Sequence, residues 1–455
     1  MYEFLLIANF AVWLSLAFFY VRQPFASAFH PASAYLLFHF VVFLFRPALA
    51  WFRDYDAIYR TYHFVPAMED KILVQMATIL GLLCFVLAAM RYGNAPPRFP
   101  QDAFDTLERR ALVPPYRWAT CILLPCGLLS ALALWDTRAT GSSTMVLDAV
   151  TGHTINTSGN GYFDNLQFFL GPLAVMFAWF YRFRWWSLLP LLAFVLVRAG
   201  TGGRAAFVLA CTSAALLYLY QQRRRWPDLR AAAITTLGLA FFAQVGEDRG
   251  AAVRSLFVED RSLVGTTLGR AGDLRFMEGM DFANLEYFEF LVYAVPQRTG
   301  TYGYFLDNLQ LLTQPIPRVL WESKPIGPPV QLFSLFDYGY PIGMTYSLPG
   351  NGWLQLGFIG VALWCGLFGW LFGKIHNRFQ QSRHENAAVL AYMIFLPLSI
   401  QFFRDGLLLV LVQTAFFCLF PVWLVQQLAR RSAVWTAEEL RCRAFRGQRS
   451  GFAAP

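Results

Sequence analysis

Residues 186–221 read WSLLPLLAFVLVRAGTGGRAAFVLACTSAALLYLYQ, two apolar runs joined by a glycine-rich turn. The only charged side chains in this stretch are Arg198 and Arg204, at the two ends of the turn. An arginine inside the hydrocarbon of a bilayer costs about 2.5 to 3.5 kcal/mol, so these two are expected at the rim of a membrane, beside an anionic ligand or a compensating carboxylate. The stretch therefore predicts a membrane hairpin whose tip attracts negative charge.

The composition of the whole chain predicts an all-α polytopic membrane protein. Of its 455 residues, 57% are hydrophobic and only 14% are charged, and the mean hydropathy is +0.42. About eleven apolar runs are long enough to cross a hydrocarbon core of about 30 Å. They begin near Tyr2, Ala32, Ile72, Ala119, Leu166, Trp186, Ala205, Ala231, Gly352, Ala387 and Leu407.

Basic residues predict the orientation of the chain. The short loops and the tail on one side of the predicted spans hold 21 lysines and arginines, and the short loops on the other side, where we place Arg46, hold eight. Because cytoplasmic loops carry such an excess, the N-terminus is expected outside and the C-terminus in the cytoplasm. The net charge of +9 then reflects topology, and since the arginines are scattered without a recognisable binding fold, we expect no nucleic-acid partner.

The spans divide the chain into four parts. Residues 1–245 hold the first eight spans, residues 246–349 form one large external loop, residues 350–425 hold the last three spans, and residues 426–455 form a basic cytoplasmic tail. Within the loop, the apolar spacing from Met280 to Val295 predicts an amphipathic helix at the membrane surface. All seven cysteines fall in spans or in the tail, so we expect no external disulfide, and no histidine and cysteine cluster has zinc spacing.

Basic side chains that are expected outside come from three separate pieces of chain. They are Arg198 and Arg204 at the turn, Arg318 and Lys324 in the loop, and Arg404 between the last two spans. Brought together, they would form a pocket suited to a lipid diphosphate, whose head group lies at membrane depth and whose tail lies in the bilayer. The alternatives are arginines that extend to phospholipid head groups, and local ion pairs with Glu322 or Asp405.

Three segments resemble the bacterial oligosaccharide repeat-unit polymerases of the O-antigen polymerase type. They are TGGRAAF at 201–207, PRVLWESKP at 317–325 and YSLPGNGWLQLGFIGV at 346–361. The resemblance implies a bundle like that of the GT-C class of glycosyltransferases, with the large loop in the periplasm and the protein in the bacterial inner membrane. It also implies transfer of a growing glycan from polyprenyl diphosphate to a sugar hydroxyl of the next lipid-linked repeat unit.

The resemblance and the residues together predict roles for nine side chains. Arg204, Arg318 and Arg404 are expected to stabilise the departing diphosphate, with Arg198 and Lys324 as further binding cations. The attacking hydroxyl needs a base, for which Glu322 is the first choice and Asp405 the second. Trp321 and Tyr346 are expected to contact the glycan. The partners are then the lipid-linked oligosaccharide and the bilayer, no cofactor or metal is required, and the resemblance leaves open whether a chain-length regulator also binds.

Three alternatives remain open from the sequence. A ligase that moves the glycan to a lipid core would use almost the same chemistry. A metal-dependent transferase that uses lipid-phosphate sugars is suggested by Asp54 and Asp56, whose hard oxygen ligands suit a divalent cation. A flippase for lipid-linked oligosaccharides would also need cations, but through the depth of a central cavity, whereas the predicted spans are nearly free of charge.

Overall fold

The computed structural model describes residues 1–99, 102–139, 145–147, 154–156, 161–200, 204–228, 283–316, 320–321, 323–325, 327–339, 345–382 and 386–450. Regular structure in these residues is helical, apart from one antiparallel ribbon in which Met145–Leu147 pairs with Thr154–Asn156. Eight helical stretches in them are long and apolar enough to cross a membrane: Tyr2–Val21, Pro31–Arg53, Met68–Tyr92, Ala111–Asp136, Phe163–Phe180, Leu348–Gln381, Asn386–Asp405 and Leu408–Arg431. The chain is therefore a multi-pass helical membrane protein.

These stretches correspond to eight of the predicted apolar runs. Two shorter apolar helices, Trp185–Ala199 and Ala205–Gln221, correspond to the two runs of the hairpin. The predicted run from Ala231 lies outside the described residues. The last helix continues from Leu408 to Ser450 without a break, so the predicted boundary between span and tail is not an end of a helix.

The other helices within the described residues are shorter or extend these spans. The second span comprises Pro31–His39, a π-helical turn Phe40–Phe45 and Arg46–Arg53. The remaining bounds are Ala57–Tyr62, Asp102–Ala139, Gly161–Asn165, Leu166–Phe169, Leu170–Phe180, Trp185–Leu188, Leu189–Gly200, Arg204–Gln221, Asn284–Ala294, Leu306–Leu309, Gln310–Thr313 and Leu335–Tyr338.

The bundle has two ends, which we name by residues that lie there. At the Arg404 end, the Asn284 side chain donates a hydrogen bond to the main-chain oxygen of Arg404 over 2.9 Å. At the His376 end, the rings of His30 and His376 lie 4.6 Å apart. Successive spans alternate between these ends, as antiparallel helices joined by short loops must.

The described chain stops and resumes at opposite ends of the bundle. Before the gap, Arg225 lies at the His376 end, where its main-chain oxygen accepts a hydrogen bond from Ala28. After the gap, residue 283 lies at the Arg404 end, beside Asn284. The predicted eighth span, from Ala231, lies outside the described residues.

The helix Asn284–Ala294 is buried on all sides. It packs against Met68–Tyr92 and against Leu348–Gln381, and ten of its eleven residues are buried. The prediction of an amphipathic helix at the membrane surface is therefore wrong for this segment. The helix can be buried because Asn284, Glu286 and Glu289 each find a polar partner inside the bundle.

The helix Leu348–Gln381 is interrupted near its beginning. Leu356 has φ −157°, and Gly357 has φ 59° with ψ −139°, both outside the helical region. Gly352 then packs against the chain that follows the interruption, so closely that a Cβ on it would lie 2.8 Å from the main-chain oxygen of Gly360. Residues 348–355 therefore form a short helical segment that folds back against the span, and the predicted span from Gly352 becomes continuous only after Gly357.

Candidate functional site

The turn Arg404–Gly406 at the Arg404 end is held by the segment that begins the interrupted helix. The Ser347 main-chain N–H donates to the Arg404 main-chain oxygen over 2.9 Å, and the Asn351 side chain donates to the Gly406 oxygen over 2.9 Å. Gly406 has φ 71°, and a Cβ there would lie 2.2 Å from the Ser347 oxygen. The turn therefore requires glycine for two reasons, its left-handed backbone and this close approach.

Asn284 joins a third piece of chain to this turn. Its side-chain nitrogen donates to the main-chain oxygens of Arg404, over 2.9 Å, and of Thr345, over 3.0 Å. Tyr346, which we predicted to contact the glycan, follows directly, and its ring centroid lies 5.2 Å from that of Tyr287. Three segments distant in sequence thus meet at one end of the bundle.

Asp405, the second choice for the base, is buried beside Arg404 and accepts a hydrogen bond from Gln401 on its own helix. Arg404 itself is half-buried. The structure therefore places both residues at the predicted place between the last two spans. Their catalytic roles stay predictions.

Asp307 is a polar residue of the site that the sequence reasoning missed. The Gln355 side chain donates over 3.0 Å to Asp307 Oδ2 and over 3.0 Å to Asn351 Oδ1, which connects Asp307 to the Arg404 turn. Burial raises the pKa of the Asp307 carboxyl above its usual range. No local pattern distinguishes Asp307 from the other acidic residues of the predicted loop, because its partner Gln355 is 48 residues away.

The predicted arginine turn lies at the same end of the bundle. The helix Arg204–Gln221 finishes at the His376 end, where the Tyr220 ring lies 6.5 Å from Phe379, so Arg204 begins it at the Arg404 end. The side chain of Arg204 lies outside the described residues. Arg198 is buried, donates to Gln167 and has its guanidinium carbon 5.5 Å from the centre of the Phe168 ring.

The segment with Lys324 forms a compact loop. Lys324 Nζ donates to the main-chain oxygens of Gln314, over 3.1 Å, and Ile316, over 3.0 Å. Trp321 is half-buried, and its indole nitrogen donates to Ser323 over 3.0 Å. Arg318 and Glu322 lie outside the described residues, so their predicted roles stay predictions.

A second cluster, of charged side chains, lies on the face of the helix Asn284–Ala294 that is opposite Asn284. Arg46 binds Glu286 through two nitrogens, with a shortest distance of 2.6 Å, and Arg46 is fully buried. The Tyr59 hydroxyl donates to Glu289 over 2.5 Å, and the Lys71 ammonium lies 4.9 Å from the centre of the Tyr59 ring. The prediction that Arg46 belongs to an external loop is wrong, because Arg46 lies within the second span, where a carboxylate 240 residues away compensates its charge.

Asp54 and Asp56, which suggested a metal-dependent transferase, do not lie together with other possible metal ligands in the described part of the chain. Asp56 forms an exposed ion pair with Arg60 over 2.8 Å, and Asp54 ends a helix with φ 49°. Among the described residues, no group of three or more histidine, cysteine, aspartate or glutamate side chains could hold a metal ion.

The Arg404 turn, a partly exposed carboxylate and the rings of Tyr287 and Tyr346 lie at one end of an apolar bundle, and the helix Arg204–Gln221 begins at the same end. Such an arrangement can bind an anionic head group while its lipid tail stays in the bilayer. No family model, no curated protein and no solved structure matches the chain.

Proposed function

We propose that the protein is a membrane glycosyltransferase that polymerises oligosaccharide repeat units carried on polyprenyl diphosphate. In this proposal the Arg404 end faces the periplasm and the protein lies in a bacterial inner membrane. The observation that supports the proposal is that three segments singled out from the sequence lie at the same end of the bundle. The helix that begins at Arg204, the segment 345–351 and the Arg404 turn all lie there, although they are far apart in sequence.

The reaction needs stabilisation of negative charge as the diphosphate leaves. The oxygen of the acceptor hydroxyl forms a bond to the anomeric carbon of the growing glycan, and the bond from that carbon to the phosphate oxygen breaks with its electron pair. Guanidinium groups aimed at this oxygen stabilise the transition state more than the ground state. Arg404, Arg204 and Arg318 are assigned this role, with Arg198 and Lys324 as further cations.

The glycan would lie against the aromatic side chains of the same end. Tyr346 and Trp321 are half-buried, so each offers part of a ring to a sugar face.

A ligase would differ only in the acceptor, a lipid core in place of a second repeat unit. The identity of the product therefore decides between polymerase and ligase.

The test supplies the purified protein in lipid nanodiscs with a lipid-diphosphate oligosaccharide and separates the products by size. A ladder of multiples of the repeat unit is expected. Arg404→Ala should lower the rate of ladder formation by about 100-fold or more, as loss of one preorganised donor does elsewhere. The hydrogen bonds from Ser347 and Asn284 end on the main-chain oxygen of residue 404, so they persist in this variant.

The matched control is Arg378→Ala, which removes an exposed arginine near the His376 end. This variant should form the ladder at the wild-type rate. A wild-type protein that leaves the substrate unpolymerised, or that moves it intact across a vesicle membrane, would refute the proposed function. A full ladder from Arg404→Ala would refute the role of Arg404 alone.

A further inference from the structure

The loop before Asp307 is docked onto the interruption in the helix Leu348–Gln381. A break in a helix leaves the carbonyl oxygens of the preceding turn without their usual donors. Here the main-chain N–H groups of Gly303 and Tyr304 supply them, to Leu354 over 2.9 Å and to Gln355 over 3.1 Å. The loop is therefore attached to the same short segment that holds the Arg404 turn.

This loop has an unusual backbone. Tyr304 has φ 48° and Phe305 has φ 60°, two consecutive non-glycine residues in the left-handed region. Such a conformation persists only where the surroundings impose it, and it is concentrated at functional sites. The surroundings here are the Gln355 side chain, which accepts a hydrogen bond from the Phe305 N–H, and Trp364, whose ring lies 5.1 Å from that of Phe305.

The carboxylate that this loop presents is oriented by neutral groups. Asp307 Oδ1 accepts from the Asn308 amide over 3.1 Å, and Oδ2 accepts from the Gln355 amide over 3.0 Å. Within the described residues, no lysine or arginine forms an ion pair with it. The side chain is only half-buried, so a ligand hydroxyl can reach it.

A carboxylate that is buried without a cation beside it binds a proton more strongly than a carboxylate in water does. Desolvation raises the pKa of the Asp307 carboxyl, and hydrogen bonds from the main-chain N–H of Asn308, from the Gln355 side chain and from the main-chain N–H of Asp307 itself oppose this rise only in part. The titratable group that faces it from the neighbouring segment is the Tyr346 phenol, whose pKa is raised by burial. Within the described part of the chain, Asp307 therefore sits among groups that are neutral near pH 7.

The other carboxylates around the Arg404 turn are less suited to accept a proton from a ligand. Asp405 is buried beside Arg404 and is bonded to Gln401. Glu286 is neutralised by Arg46, and Glu289 is buried on the far face of its helix with Tyr59. Asp307 combines partial exposure with a fixed orientation and a connection through Gln355 and Asn351 to Gly406.

We infer that Asp307 is the general base of the transfer, an assignment that rests on the proposed function. A carboxylate oxygen of Asp307 takes the proton of the acceptor sugar hydroxyl as the hydroxyl oxygen bonds to the anomeric carbon. The electron pair of the broken bond leaves with the polyprenyl diphosphate. The proton then passes from Asp307 to water, which restores the carboxylate.

The experiment compares Asp307→Asn with the wild type in the ladder assay. A general base contributes about 10² to 10⁴-fold, so the rate of elongation in Asp307→Asn should fall by at least about 100-fold. Binding of polyprenyl diphosphate alone, measured by fluorescence titration, should stay within a factor of about three of the wild type. Asp307→Glu should recover part of the rate, because it keeps a carboxylate. The matched control is Asp337→Asn, an exposed carboxylate of the same region, which should elongate normally.

A pH profile separates a base from a structural residue. The wild-type rate should rise with pH as Asp307 ionises and then level off, and this acidic limb should be missing from the residual rate of Asp307→Asn. Wild-type elongation in Asp307→Asn, or an unchanged acidic limb, overturns the inference. Loss of diphosphate binding together with a lower melting temperature in both Asp307 variants also overturns it, in favour of a structural role. A wild-type protein that builds no ladder overturns the proposed function, and the assignment of Asp307 with it.

Discussion

Glu286 and Glu289 lie three residues apart on one buried helix, yet their surroundings differ. Arg46 binds Glu286 through two nitrogens, whereas Glu289 has the Tyr59 hydroxyl and the more distant Lys71. Burial and the charge of Glu286 raise the pKa of Glu289 to about 7, against the opposing effects of Lys71, Tyr59 and Arg46. Glu289 therefore keeps its proton to a higher pH than a glutamate in water does.

This difference makes the stability of the protein depend on pH in a predictable direction. Between about pH 4.5 and pH 7, Glu289 keeps its proton in the folded protein but loses it in the unfolded chain. The free energy of unfolding therefore falls as the pH rises through this window, and the effect of Glu289 is constant above it.

Glu289→Gln should remove this contribution. We expect the melting temperature of the purified protein in detergent to decline less between pH 5 and about pH 7 in Glu289→Gln than in the wild type. The control is Glu69→Gln, an exposed glutamate that should leave the slope unchanged. Parallel curves for Glu289→Gln and the wild type would contradict the assignment.

At the scale of elements, the interruption at Gly357 decides where the site is built. The break turns residues 348–355 back against the span, where Asn351 reaches Gly406 and Gln355 reaches Asp307. It also leaves two main-chain oxygens for the loop with Gly303 and Tyr304. One glycine therefore organises the contacts between the loop and the Arg404 turn.

Gly357→Ala should be costly because φ 59° with ψ −139° is accessible only to glycine, and a Cβ would lie 2.8 Å from the Tyr302 hydroxyl. We expect a loss of about 1 to 3 kcal/mol in the free energy of unfolding and a slower ladder reaction. The matched variant is Gly366→Ala in the same helix, where a Cβ would meet no atom within 4 Å. It should be neutral or stabilise by about 0.5 to 1 kcal/mol. Equal melting temperatures for the two variants would exclude a structural role for the interruption.

At the scale of the whole molecule, the bundle separates two kinds of surface. The His376 end carries Arg22, Arg223, Arg378 and their basic neighbours, and the Arg404 end carries the polar site. Apolar side chains such as Phe4, Ile7 and Phe18 remain exposed along the first helix, as expected for contact with lipid. The distribution of arginines between the ends is the physical basis for the predicted orientation.

Labelling of single cysteines tests this orientation. In a background without the native cysteines, Asp337→Cys should react with a membrane-impermeant maleimide in right-side-out vesicles, because Asp337 is exposed and belongs to the predicted external loop. Arg22→Cys, at the His376 end, should react only after the vesicles are opened. The reverse pattern would place the site in the cytoplasm and exclude transfer at the periplasmic face.

The apolar runs were predictable because hydrophobicity and helix length are local properties of the sequence, and these properties decide whether a helix is stable across a bilayer. The charge at the turn with Arg204 and the glycine spacing of residues 346–361 are also visible along the chain, and the roles predicted from them stay predictions. The burial of the helix Asn284–Ala294 was not predictable. An apolar helix with a few polar residues can lie on a membrane surface or be buried inside a bundle. Which of the two occurs depends on whether distant segments supply partners for its polar side chains.

The sequence by itself determined that this chain crosses a membrane many times and which turns carry charge. The tertiary structure alone decided that Arg46 is compensated by Glu286, that Asp307 is connected through Gln355 to Gly406, and that Gly357 turns the chain back. The physical reason is the same in each case. Whether a polar group is stable in an apolar bundle depends on the hydrogen bonds and charges that distant segments bring to it, and those are set by packing.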